Sequence, residues 1–143
     1  MEDKSKNVRH AIQLVDLKVL ELSLKVKAEN AQDRMPDSSV FGMHHGHTEY
    51  DAENKRIVVK VGMDISEEND DDTPFEMKVE LLGVFSVDES RFPIKFIEDW
   101  AAKNAPLILY PYIREQVHSL TTRAGFTGVL LPLFEVPTFK LQK

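Results

Sequence analysis

Residues 105–139 read APLILYPYIREQVHSLTTRAGFTGVLLPLFEVPTF, and the fold turns on this stretch. Pro106 suits the first turn of a helix, where its missing N–H costs nothing. Leu109, Ile113, Val117, Leu120 and Ala124 then recur at helical spacing as one apolar stripe. Pro111 fits only near the start, because an interior proline costs about 3 kcal/mol. Arg123 complements the negative end of the helix dipole, and Gly125 can take the left-handed closing position. Beyond it, Phe126, Val129, Leu130, Leu131, Leu133, Phe134, Val136 and Phe139 crowd between Pro132 and Pro137. That is an extended apolar segment. A helix closed by glycine and followed by a tail too oily for water is a unit for packing or binding, and it carries no catalytic signature.

Working backwards, a shorter helix is expected from about residue 93 to Lys103, with Ile94, Ile97, Trp100 and Ala101 on one face and Asp88, Glu89 or Ser90 as its cap. Before residue 88 the period is two. Phe75, Met77, Val79 and Leu81 alternate with Glu76, Lys78 and Glu80, and the pattern runs through Gly83 to Val87. Glycine inside a strand marks a bulge or a close backbone approach. Ile57, Val59, Val61, Met63 and Ile65 form the cleanest strand, and Met43 to Tyr50 a short one, with Asp51 to Asn54 as the turn between them. Residues 28–42 read as a loop.

Residues 11–26 are ambiguous. Val15, Leu17 and Val19 alternate in one register; Leu20, Leu22, Leu24 and Val26 alternate in the other. A β-bulge at Val19–Leu20 reconciles them, because one extra residue swaps the faces. A helix through Ile12, Val15, Val19, Leu22 and Val26 is the alternative, and the strict alternation of the second half favours strand. Strands first and helices last predict an α+β fold: a four-stranded antiparallel sheet followed by two main helices, in one domain spanning 1–143.

Composition narrows function. The hydrophobic and charged fractions, 42% and 29%, are those of a folded soluble domain. The net charge, 18 − 24 = −6, argues against nucleic acid, which needs clustered cations. With no cysteine, disulfides, thiolate metal sites and a cysteine nucleophile are excluded. Neither a signal peptide nor a run long enough to span a bilayer is apparent, so a cytoplasmic protein without membrane insertion is expected. His45, His47 and Glu49 share one strand face and are weak candidates for a metal site, although their spacing matches no strong motif. The acidic run Glu67–Asp72 lacks the ligand spacing of a calcium loop and reads as a solvated hairpin tip. There is no nucleophile elbow, phosphate loop or H-E-x-x-H, so no enzyme and no cofactor is expected. The apolar surplus of sheet, helix and tail points instead to shared subunit faces and a binding groove.

Two segments carry a family resemblance. Phe75–Val87, FEMKVELLGVFSV, resembles the last strand of the SecB protein-export chaperone family. Ala105–Glu115, APLILYPYIRE, continuing through Ser119, Arg123 and Phe126, is similar to that family's aromatic-Pro-Tyr-x-Arg-Glu signature. The resemblance implies a homotetramer, a dimer of dimers, that holds unfolded polypeptides without ATP and passes preproteins to SecA. Carried over by position, it implies polypeptide binding by Val40 and Phe41, by Phe75, Met77 and Val79, and by Phe134 and Phe139. Lys78 departs from the pattern, standing where exporting members often carry an acid on the SecA-facing surface. The family's lid-like second helix and acidic tail also have little room before Lys143. Relatives outside export include chaperones of toxin–antitoxin systems and proteins of Gram-positive bacteria. The expected function is therefore an ATP-independent holdase. The alternatives are a chaperone dedicated to one partner, such as an antitoxin, and a small metal-binding protein.

Overall fold

The computed structural model describes residues 8–27, 41–65 and 74–131. Four strands come first: β1 (Ile12–Val26), β2 (Gly42–His47), β3 (Arg56–Ile65) and β4 (Phe75–Val87). They form one antiparallel sheet in the order β1-β4-β3-β2, so the chain leaves one edge at β1 and enters the opposite edge at β2. A 3₁₀ turn at Ile94–Phe96, α1 (Ile97–Lys103) and α2 (Ala105–Arg123) follow. The strand reading of 11–26 is therefore the right one, and the α+β architecture is as expected.

β1 carries two bulges where one was expected. The register against β4 shifts between Val19 and Glu21, at Leu20, and again between Leu14 and Asp16, at Val15. After both shifts, Leu17, Val19, Leu22, Leu24 and Val26 pair with Gly83, Leu81, Val79, Met77 and Phe75 and share their face. The first bulge was hidden because Val15 is itself apolar, so skipping it left the alternation looking intact.

The turn between β2 and β3 is built by Asp51. Its carboxylate accepts from the backbone N–H groups of Glu53 and Asn54, and Lys55 closes the turn with φ 56°. The hydroxyl of Tyr50 donates to Glu89 at 2.6 Å, tying this turn to the loop after β4. Burial and the adjacent Glu89 carboxylate push the Tyr50 phenol up to about 12. The acidic run Glu67–Asp72 lies outside the described residues.

One face of the sheet is the core. Ile57, Val59, Met63, Phe75, Val79, Leu81 and Phe85 are all buried beneath α2, α1 and the segment 126–131. Phe85 meets Trp100 edge-on at 5.1 Å between ring centres, and Phe75 meets Phe126 at 4.9 Å. Gly83 is the close-approach point, for Leu109 of α2 rests on its backbone.

α2 differs from its expected stripe at both ends. Pro111 lies inside the helix as its seventh residue, on the exposed side, where water can satisfy the carbonyl it leaves without a donor. At the other end Thr121 takes the buried position, while Leu120 and Ala124 are half-buried. The Thr121 hydroxyl donates to the Val117 carbonyl at 2.8 Å and accepts from the Val129 N–H at 3.0 Å. The helix ends as the glycine predicted. Gly125 has φ 93°, the Gly125 N–H donates to the Thr122 carbonyl, and the Phe126 N–H donates to the Thr121 carbonyl, which is a Schellman closure.

Candidate polypeptide-binding surface

The core face of the sheet is covered across β3 and β4 and only partly covered along β1, where Leu14, Leu17 and Leu24 still pack against the core. Val79, Leu81 and Phe75 are at most 1% exposed, yet their direct partners one strand over, Leu22, Val19 and Val26, are 37%, 52% and 40% exposed. α2 lies chiefly over β3 and β4 and only reaches β1. The result is a strip of aliphatic side chains on an edge strand of 15 residues whose outer backbone edge has no neighbour among the described strands. Leu20, extruded by its bulge, adds to the exposed apolar surface, and Leu107, Ile108 and Tyr112 stand exposed on the first half of α2. Edges of this kind pair with other chains unless they are blunted. Here the two bulges and the charged side chains of Asp16, Lys18, Glu21 and Lys25 blunt the edge.

The opposite face of the sheet is polar. Glu80 sits at its centre, with the ring Nε2 of His44 at 3.3 Å and the Lys60 ammonium at 3.7 Å. Burial pushes its carboxyl up, but His44, Lys60 and Lys78 outweigh that effect and hold it below the usual glutamate value. Lys78 also pairs with Glu21 of β1 at 3.6 Å. The His44 ring lies over Gly62, where any Cβ would collide with it.

The positions expected from sequence separate into three groups. Phe75, Met77 and Val79 are core residues, 2% exposed or less, and form the covered floor of the sheet. Phe41 is half-buried against that core just before β2. Val40, Phe134 and Phe139 lie outside the described residues. His45 and His47 do share one face of β2, opposite Val61 and Val59, but Glu49 falls beyond the strand. Among the described residues no three His, Asp or Glu side chains are brought together so as to hold a metal ion. Sequence reasoning missed the strip on β1 as a surface. Its alternation was legible, but only the lateral placement of α2 shows which half of the face stays bare.

A sequence model of the family described as "Preprotein translocase subunit SecB" matches residues 5–136. The chain belongs to the SecB family. Curated SecB relatives agree. The protein-export protein SecB of Ehrlichia chaffeensis is 25% identical over 127 residues, covering 85% of this chain and 65% of the relative. That of Nitrosomonas europaea is 29% identical over 91 residues, covering 64% and 55%. That of Saccharophagus degradans is 34% identical over 76 residues, covering 53% and 44%. The chain thus spans between 44% and 65% of the length of the SecB relatives it matches. Among solved structures it is similar to the Mycobacterium tuberculosis SecB-like chaperone in complex with a ChAD peptide from the HigA1 antitoxin. That match has a TM-score of 0.67 at 20% identity, over 87% of this chain and 91% of the other. It is also similar to a protein of unknown function from Streptococcus agalactiae, with a TM-score of 0.54 at 16% identity, over 85% and 97%. At these identities the structures speak to the fold, and the SecB fold is what they share with this chain.

Proposed function

We propose that this chain is an ATP-independent holdase that binds unfolded polypeptides on apolar surface, without enzymatic activity and without a cofactor. The observation that carries the reading is the exposed strip of Val19, Leu22 and Val26 beside a sheet face that is buried across β3 and β4. Removing such surface from water is worth about 25 cal/mol per Å2. An extended client can also pair its backbone with the free edge of β1. We place Phe41, Val40, Phe134 and Phe139 in the client surface, with Phe75, Met77 and Val79 as its floor. We also place the protein in the cytoplasm as a homotetramer, a dimer of dimers, in which several weak sites give avidity. Lys78, paired with Glu21 on the outer face of the sheet, weighs against transfer of clients to SecA. No helix among the described residues is long and apolar enough to cross a membrane.

A second reading is a chaperone dedicated to one partner. It draws support from the structural neighbour solved with an antitoxin peptide. One experiment separates the two. The purified protein is added in excess to several unrelated denatured proteins while light scattering is followed. Suppressed aggregation of most of them is expected. Protection of none, with a single polypeptide co-purifying at fixed stoichiometry, favours the dedicated chaperone and overturns the general one.

A further inference from the structure

We infer that His45 and His47 on β2 form an open two-histidine site for a borderline divalent cation, zinc or copper. The site is independent of the holdase reading. β2 is an edge strand of six residues, and among the described strands β3 is its one neighbour. Side chains alternate along it, so His45 and His47 leave from the same face, opposite Val61 and Val59 and about 6.6 Å apart along the strand. Both are exposed. His44 leaves from the other face, where its Nε2 meets Glu80 at 3.3 Å. The pair two residues apart can turn towards one ion, and the ring between them in the sequence is committed elsewhere.

The hydrogen bond of His47 prepares it for ligation. Its Nδ1 lies 2.8 Å from the carbonyl oxygen of Thr48. A carbonyl only accepts, so Nδ1 carries the proton and donates, and in the neutral ring Nε2 keeps its lone pair. Metal-ligating histidines have this arrangement, with the second nitrogen donating to a backbone carbonyl or a carboxylate. His45 makes no hydrogen bond or ion pair among the described residues, which leaves both its ring nitrogens open to an ion. The donors set the chemistry. Two imidazoles suit zinc or copper, whereas calcium and magnesium take oxygen ligands. Copper should bind more tightly than zinc, as the general order of divalent affinities requires. Two protein ligands make the site weak and exchangeable, with water in the remaining positions. The net charge of −6 favours a cation near it. The bound ion joins two positions of a strand with one neighbour and so stiffens β2.

The test is calorimetric titration of the full chain with zinc and with copper in a weakly competing buffer at slightly alkaline pH. One ion per chain is expected, with a micromolar Kd that is lower for copper, and the melting temperature should rise when the ion is present. His45→Gln and His47→Gln should each weaken binding about tenfold or more, while His44→Gln, on the other face, retains it. Affinity should fall as the pH drops below about 6.5, where an imidazole takes up a proton and loses its lone pair. All three positions are exposed, so the variants keep the fold, and a metal-free melting curve on each checks this. No heat with submillimolar metal overturns the inference. Binding that survives both His45→Gln and His47→Gln also overturns it and places the ion elsewhere. Half an ion per chain with a doubled mass overturns the single-chain site and assigns it to contact between copies. Client protection measured without metal is untouched by these outcomes, so the holdase reading stands or falls separately.

Discussion

Leu109 of α2 stands directly on the backbone of Gly83 in β4: a Cβ built at Gly83 would lie 2.8 Å from Leu109 Cδ2 and 3.2 Å from Leu14 Cδ1. Leu109 is fully buried, so it has little room to swing aside. This contact sets how closely the helix layer approaches the sheet. Gly83→Val is expected to destabilise the protein by about 1–3 kcal/mol through overpacking. Chemical denaturation measures it. The double variant Gly83→Val with Leu109→Ala should recover part of the loss that the two single changes would add up to, because the residues touch. Strict additivity would show that the seam is looser than described.

Thr121 links the helix to the segment after it. Thr121→Val keeps the shape but leaves the Val129 N–H buried without an acceptor, a loss of about 1–3 kcal/mol. The Val129 amide should also exchange with deuterium faster than in the parent protein. Thr121→Ser, which keeps the hydroxyl, should retain most of the stability. Equal stability of the Val variant and the parent would refute the link.

Core and surface positions on the same sheet face should respond differently. Phe75, fully buried and edge-on to Phe126, is a folding residue; Phe75→Ala is expected to cost about 3–5 kcal/mol, and client binding should fall only as the protein unfolds. Leu22, paired with buried Val79 but itself exposed, is a surface residue. Leu22→Asp should leave the melting temperature nearly unchanged while weakening client protection or reducing the assembly mass. Light scattering with and without a denatured client reads both effects. A Leu22→Asp protein with unchanged mass and unchanged protection would move the client surface elsewhere.

Glu80 gives a pH dependence with a definite sign. Its carboxyl is held below the usual value of 4.5, so the folded state prefers the ionised form. The stabilisation is complete above 4.5 and is lost as the pH falls through the lower, folded-state value. Glu80→Gln should therefore flatten the acid limb of the stability curve below pH 4.5, with little change in its slope at neutral pH. Denaturant midpoints measured across that range decide it; parallel acid limbs would mean that other carboxylates dominate.

The strand and helix order of this protein is written in its local patterns. Alternation of period two marks β3 and β4, the Asp51 turn joins β2 to β3, and Pro106 and Gly125 punctuate α2. Even the bulge at Leu20 is visible as a change of register between two apolar runs. These signals are legible because each depends on neighbours within a few residues. Periodicity could say that β1 and β4 each have an apolar face, but not which of the two is covered. That was decided by where α2 lies across the sheet, which buries Phe75, Met77 and Val79 and leaves Val19, Leu22 and Val26 in water. The buried role of Thr121 is likewise a product of packing between segments. The physical reason is the same throughout: a side chain's periodicity is a property of its own strand or helix, whereas its exposure depends on a second element brought against it by the fold.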